Sequence, residues 1–352
     1  MPRDAMTPRE RWLAVLTRQK PDRLPMDYWA TPEASRNLMQ HLGCDTMEEV
    51  YDRLHIDAVA SVGPRYVGPT PPDGEDIWGV RYRQIEYETG VYSEPINHPL
   101  AAYTSVEEIA AAYTWPSPDW WDYSVIPDQV RAAGERPIRG GGSEPFLQYC
   151  VLRGLEQGMM DLIERPEIVE YCLGKLFDLA YEMTARTYEQ APGKVMITYV
   201  AEDMGSQESL LFSPAQIKRF LLPGMKRMID LAHEAGAFVF HHSDGAIRSI
   251  IPTMIEAGID VLNPIQWRCK GMEREGLKRD FGDQLVFHGG VDNQYTLARG
   301  SQDEVRREVE ENIRILGEGG GYILAPCHNI QAVSPPENIV AMYETGYALG
   351  SG

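Results

Sequence analysis

The chain has 352 residues, 43% hydrophobic and 24% charged, and 33 Lys+Arg against 52 Asp+Glu give a formal net charge of −19. These are the proportions of a folded chain rather than a disordered one, and the length fits either two ordinary domains or one α/β barrel with insertions. An acid excess without any basic run argues against nucleic acid and anionic membranes as partners, because both demand clustered Lys/Arg.

No apolar stretch is long enough to cross a bilayer, and the opening MPRDAMTPRERWLAVL is charged where a signal peptide would be apolar. Cys44, Cys150, Cys172, Cys269 and Cys327 are odd in number and scattered. That pattern reads as free thiols in a reducing cytoplasm.

In chain order, Thr7, Pro8 and Glu10 form a capping box that opens a helix through RWLAVLTRQ. RLPMDYWA (23–30) reads as a strand, helices follow at 32–42 and 46–54, and IDAVAS (56–61) reads as the second strand. Residues 62–123 are rich in Pro, Gly, Tyr and Trp, and their alternation around Thr89–Gly90 predicts a β-hairpin inside an insertion, with a short helix at 105–113. WPSPDWW (115–121) leads as a loop into a helix at about 124–134.

From 137 onward strands and helices alternate. Strands are expected at 137–142, 194–203, 237–245, 260–266, 284–292 and 321–329. Helices are expected at 146–160, 166–190, 213–236, up to Glu256, 271–281, 302–316 and from Pro336. Eight strands, each followed by helix, predict a closed (β/α)8 TIM barrel in a single domain over 1–352, with the hairpin insertion after strand two. Gly140-Gly141-Gly142 has the wrong spacing for a dinucleotide fold, and no P-loop occurs.

In such a barrel the active site lies at the C-terminal ends of the strands. Five successive strands end in ionisable or amide groups: Glu202-Asp203, His241-His242-Ser243-Asp244, Asn263 to Gln266, His288 to Gln294, and Cys327-His328-Asn329. His242, Asp244 and His328 are the sharpest set. Two imidazoles and a carboxylate can hold Zn²⁺ with an open fourth position, and Cys327 is an alternative ligand. The spacing equally fits polar substrate-binding groups without a metal.

Glu202 and Asp203 are candidate acid/base residues, and strand alternation lets only one of them face inward. Asp292, Asn293 and Gln294 can grip substrate or cap the next helix. His241 and His288 read as structural. Asn263, Gln266 and Asn329 read as orienting hydrogen bonders. Tyr149 joins the substrate-binding candidates. Tyr28, Trp29, Tyr66, Trp78, Tyr82, Tyr87 and Tyr92 could line a pocket mouth or pack between insertion and barrel.

HHSDGAIRSIIPTMIEAGIDVLNPIQ, FHGGVDNQ and ILAPCHNIQAVSPPENIVAMYE resemble the uroporphyrinogen decarboxylase superfamily. The resemblance runs from RERWLAVLTRQKPDRLPMDYW to the end and is most specific over 237–345. It implies a (β/α)8 barrel that acts either as a decarboxylase or as a zinc-dependent, cobalamin-linked methyltransferase. The decarboxylases carry an arginine motif where this chain has Met26–Pro32, and an acid where it has Ser61–Pro64.

The methyltransferase branch typically places His-x-Cys and a later Cys on zinc. The matching positions here are His242, Asp244 and His328. The resemblance therefore implies a zinc site harder than a thiolate one. It implies a methyl group exchanged between a small substrate and a corrinoid carried by a partner protein. A carboxy-lyase and a non-catalytic ligand-binding barrel are the alternatives. The expected partners are a small molecule, a corrinoid protein and a second copy in a homodimer.

Overall fold

The computed structural model describes residues 4–87 and 90–350. Seven strands form one curled, parallel sheet in chain order: β1 (Ala60–Val62), β2 (Ile138–Ser143), β3 (Ile197–Val200), β4 (Phe238–His242), β5 (Val261–Asn263), β6 (Val286–Val291) and β7 (Tyr322–Pro326). Helices separate them in sequence, so the crossovers are of the βαβ kind. The strands from β3 on are almost wholly buried, as expected of a parallel sheet covered by helices.

Residues 23–30, expected as a strand, pair with the β7 side only at Met26↔Leu324 and Ala30↔Ile330, both parallel. Pro25 has no N–H for a ladder, which limits this segment to bridges. Asp27 N–H still donates to Leu324 O at 2.9 Å, and Asp57 N–H donates to Met26 O at 2.7 Å. The segment thus touches β7 on one side and the approach to β1 on the other.

Between β1 and β2, Tyr82–Tyr87 pairs antiparallel with Gly90–Pro95, and Arg65–Tyr66 pairs with Trp121–Asp122. The turn expected at Thr89–Gly90 includes Thr89, which lies outside the described residues. The helix expected over 146–160 is two helices, Pro145–Arg153 and Leu155–Glu164, parted at Gly154. The helix expected over 213–236 contains a π-turn at Ile217–Leu221. Pro223 lacks the N–H that would continue the α ladder there.

Two-residue periodicity sorts the strand side chains. Ile197, Val261, Val286 and Ile323 point into the curl and pack on Trp12, Val15 and Leu16 of the helix Pro8–Leu16. Trp12 is fully buried, and its Nε1–H donates to Asp57 O at 2.9 Å. That helix closes the N-terminal end of the curl. Its Arg11 is tied to Asp22 and Asp57, and Arg23 pairs with Asp57 as well. The outward faces (Leu262, Phe287, Leu324) join the larger core beneath the helices.

One glycine conformation shapes the curl. Gly142 has φ +136°, and a Cβ there would lie 2.4 Å from Tyr199 O, so only glycine lets β2 run this close to β3. The β2–β3 register shifts at this point, between Arg139 and Gly142.

Candidate active site and its relatives

Two residues further along each strand, the inward positions turn from apolar to polar. In β3, Tyr199 follows Ile197. In β4, His242 follows Phe240. In β5, Asn263 follows Val261, and in β6, His288 follows Val286. Together with Trp12, Asp27, Tyr28, Trp29, Ser61 and Arg139, the residues Tyr199, Asn263 and His288 line a cavity of about 110 Å³ inside the curl.

A continuous hydrogen-bond chain crosses this layer. Asn263 Oδ1 lies 2.6 Å from His242 Nδ1, and Asn263 Nδ2 lies 2.8 Å from His288 Nδ1. His288 Nε2 lies 3.0 Å from Asp27 Oδ2. The Tyr199 hydroxyl donates to Asn263 Oδ1 at 3.3 Å. An amide has one acceptor oxygen and one donor nitrogen, so this orientation assigns every proton. His242 Nδ1 donates to the Asn263 oxygen, the Asn263 amide donates to His288 Nδ1, and His288 Nε2 donates to Asp27. His242 is left with a lone pair on Nε2, aimed at the rim.

The rim beyond that nitrogen is acidic. His242 Nε2 is 3.5 Å from Asp203 Oδ1 and 4.0 Å from Asp244 Oδ1, and His328 Nε2 is 3.9 Å from Asp244 Oδ2. One donor atom from each of His242, Asp244 and His328 lies within 4.8 Å of the others. Asp244 is held by the loops around it. Its N–H donates to Asp203 Oδ1 at 3.0 Å, and Gly245 N–H donates to Gln266 Oε1 at 2.8 Å. Gly245 (φ +91°) presses so closely on Gly205 that a Cβ would lie 2.4 Å from the Gly205 carbonyl carbon. The Trp29 ring covers the rim, 4.8 Å from His328 and 5.8 Å from His242.

Burial pushes the Asp244 carboxyl above its ordinary pKa, Asp203 pushes it further, and His242 and His328 oppose them. Its Oδ1 is buried with no hydrogen-bond partner. A buried carboxylate oxygen left unpaired is costly, and a cation at this point would satisfy it. Two imidazoles and one carboxylate also form a donor set that suits Zn²⁺. The residues therefore fit a metal. Cys327 does not belong to the set. It is buried, its Sγ–H donates to Ile265 O at 3.2 Å, and burial holds its thiol well above the usual range.

Several expected site residues turn away from the cavity. Alternation sends Asp203 inward and Glu202 outward. Glu202 is 1% exposed, and its Oε1 accepts the Phe146 N–H at 2.7 Å, an otherwise unpaired donor at the start of the helix Pro145–Arg153. Burial raises its pKa strongly, Glu144 and Asp203 add to this, and the Phe146 N–H opposes them.

Tyr149 is fully buried with its hydroxyl on Asp161 at 2.9 Å, beside the Arg153–Asp161 pair, because it sits on the packed face of that helix. Asp292 accepts from the N–H groups of Gln294, Tyr295 and Thr296 and pairs with Arg268, so it caps the turn that follows β6. Gln294 is exposed, with its Oε1 3.4 Å from Gln207 Nε2. Asn329 Oδ1 accepts from Gln331 at 2.8 Å. Gln266 acts on the backbone of the Asp244 loop. Tyr28 does line the cavity, its hydroxyl 3.0 Å from Ser35 Oγ.

The sequence reading took His288 as structural and passed over Asp27, Tyr199 and Arg139. His288 and Asp27 anchor the hydrogen-bond chain, and Arg139 lies on the cavity wall. Glu144, directly after β2, also reaches the rim electrostatically. Loss of solvent around its carboxyl raises its pKa, His242 opposes the rise, and Asp203 and Asp244 add to it. The pattern that flagged Asp203 and Asp244, an acid just past a strand end, was present at Glu144 as well.

Known proteins place this geometry in context. Residues 128–348 match the family described as uroporphyrinogen decarboxylase (URO-D). The chain is 25% identical over 206 residues to the methylcobamide:CoM methyltransferase MtaA of Methanosarcina barkeri, covering 58% of this chain and 56% of that protein. It is 27% identical over 228 residues to a uroporphyrinogen decarboxylase of Syntrophotalea carbinolica, covering 61% of each. The match thus spans less than two thirds of either relative. A solved methyltransferase from Methanosarcina mazei shares the fold, with a TM-score of 0.70 at 18% identity over 97% of this chain and 98% of that one. With well over half its length matched, the chain belongs to the uroporphyrinogen decarboxylase (URO-D) family.

Proposed function

We propose that this protein is a zinc-dependent methyltransferase. It moves a methyl group between a small methylated substrate, bound in the curl of the sheet, and a corrinoid carried by a separate partner protein. In this reading residues 23–30 serve as the eighth stave of a (β/α)8 barrel around the cavity. His242 Nε2, an Asp244 carboxylate oxygen and a His328 nitrogen would hold the zinc. When bound, the metal supplies Lewis acidity to the heteroatom that bears the methyl group.

The chain's own residues do the rest. Asn263 and His288 hold His242 in the tautomer that presents Nε2. Asp203, inward-facing and beside His242, exchanges a proton with the heteroatom as it gains or loses the methyl group. Trp29 and Tyr199 screen the reacting atoms from water. A carboxylate and two imidazoles are harder than thiolates, so oxygen is favoured over sulfur as the activated heteroatom.

The observation that carries this reading is the clustering of three potential ligand atoms around a buried, unpaired Asp244 oxygen. The named methyltransferase relative supports the methyl-transfer half.

The decarboxylase reading is kept alive by a relative of equal similarity that is named a uroporphyrinogen decarboxylase. A single arginine, Arg139, among the described residues that line the cavity speaks against a tetrapyrrole bearing several carboxylates. Elemental analysis after dialysis against zinc is the test. One zinc per chain is expected, falling below a tenth in H242A and D244A. Wild-type protein that stays metal-free refutes the mechanism. A corrinoid assay then separates the chemistries: methylated cobalamin appears on methyl transfer, whereas a decarboxylase releases CO₂ without it.

A further inference from the structure

Arg139 is a cation inside the curl of a chain whose net charge is −19. It is the second residue of β2, opposite Ser61 of β1 and Ile197 of β3. Its side chain is exposed to the cavity, and its Nη2–H donates to Ser61 Oγ at 3.0 Å. Its guanidinium carbon stands 5.4 Å from the Tyr199 ring centre. Among the described residues no carboxylate pairs with it, although most arginines here have such a partner, including the buried Arg11, Arg23, Arg153 and Arg274.

Asp27 lines the same cavity, but both its oxygens are engaged, Oδ1 by Tyr28 N–H at 2.9 Å and Oδ2 by His288. A guanidinium has five donors in a planar fork, and here one of them has a protein partner. Tyr28, Trp29, Tyr199 and Phe240 line the cavity with it.

The position of this cation relative to the rim gives the site a direction. The Tyr199 ring stacks on His242 at 5.7 Å on one side and carries Arg139 over its face. Tyr199 on β3 thus stands between Arg139 on β2 and His242 on β4 in the order of the sheet. Asp203, Asp244 and Glu144 crowd the rim and would repel an anion there.

We propose that Arg139 receives a carboxylate of the substrate, so that the site takes a small methylated carboxylic acid. Its charged end sits at the guanidinium, and its methyl-bearing end sits at the His242–Asp244–His328 rim. The ring-lined walls suit a flat, apolar body between the two ends. The inference rests on the proposed reading of this cavity as the substrate site. It names the substrate class within that reading.

Benzoate and its uncharged counterpart benzamide are the probes, titrated calorimetrically into full-length protein kept in EDTA so that no metal contributes. Wild type is expected to bind benzoate saturably and at least ~10-fold more tightly than benzamide, in the range of a charge-assisted, two-pronged contact. R139M should reduce benzoate binding to the benzamide level with its circular dichroism spectrum unchanged. R139K, which keeps a cation in the cavity, should still prefer benzoate, and this arm holds even if R139M fails to fold. Equal binding of the two probes by wild type, undiminished benzoate binding by R139M, or a folded R139K without preference each overturns the proposal. Zinc stoichiometry, measured separately, reports on the metal alone, so loss of either result leaves the other readable.

Discussion

Replacing Asn263 by alanine tests the hydrogen-bond chain behind the rim. The side chain is 1% exposed and joins His242, His288 and Tyr199 at 2.6, 2.8 and 3.3 Å. Its loss strands His242 Nδ1–H and His288 Nδ1. A buried group left unpaired costs ~1–3 kcal/mol. Because Asn263 lines the cavity, water can enter the gap, which places each cost near the lower end and the total at ~2–3 kcal/mol. The effect on the metal should be more specific. Without the amide oxygen nothing fixes the proton on Nδ1, and loss of such an outer contact typically weakens metal affinity ~10–100-fold.

Denaturant unfolding in EDTA measures the first quantity, and competition with a chromophoric chelator measures the second. N263D should retain more zinc affinity than N263A, because a carboxylate oxygen still accepts from Nδ1. It should also force a proton onto His288, since it cannot donate to Nδ1 there. A folded N263A that binds zinc within about twofold of wild type would show that the chain does not orient His242.

Glu202 is expected to be structural, so E202Q should keep stability within ~1 kcal/mol, while E202A should lose ~1–3 kcal/mol by orphaning the Phe146 N–H. Abolished turnover in a stable E202Q would instead give it a chemical role. Burial alone would raise the Asp22 carboxyl, but Arg11 and the Met6 and Arg23 N–H groups hold it down to about 2. A lowered folded-state pKa stabilises above the unfolded value and loses that contribution as pH falls toward the folded one. D22N should therefore cost ~2 kcal/mol at pH 7, with the gap to wild type closing between about pH 4 and pH 2 in parallel urea titrations. W12A removes the floor of the curl and should cost ~3–5 kcal/mol, read from the same titrations. An unchanged midpoint would mean that the helix Pro8–Leu16 does not close the end of the curl.

Period-two alternation and the succession of strand and helix made most of the sheet readable from sequence. From β2 to β7 each strand overlaps a segment read from the apolar runs. The segment 23–30 is strand-like in composition, but Pro25 removes a ladder donor, so it meets the β7 side only through the bridges at Met26 and Ala30. The His242, Asp244 and His328 cluster was legible because each follows a strand on the same end of the sheet. Facing, however, depends on register, which sequence does not fix to the residue. Glu202 and Asp203 could not be told apart until β3 was seen to place Ile197 and Tyr199 inward. Tyr149 was unreadable for another reason: its partner Asp161 lies on a neighbouring helix whose packing carries no sequence signature. For Asp292, capping was one of the two readings the sequence offered, and it is the one the turn shows.

The proposed zinc and the interior arginine fit one design. Asp203, Asp244 and Glu144 converge where His242 and His328 present nitrogen, in a chain already rich in acid. Left alone, these carboxylates repel one another, and Asp203 pushes the Asp244 and Glu144 carboxyls up. A divalent cation between His242, Asp244 and His328 reverses that balance and makes the same carboxylates favourable. It would also draw an anionic substrate to the rim by the wrong end, with its carboxylate on the metal and its methyl group elsewhere. Arg139, which pairs with no carboxylate among the described residues, offers that carboxylate a competing seat. On this argument R139M should do more than weaken binding. It should convert small carboxylates from substrates into metal-bound inhibitors of the zinc-loaded enzyme. Inhibition by benzoate that is stronger in R139M than in wild type is the expected result, and equal inhibition of the two proteins would refute it.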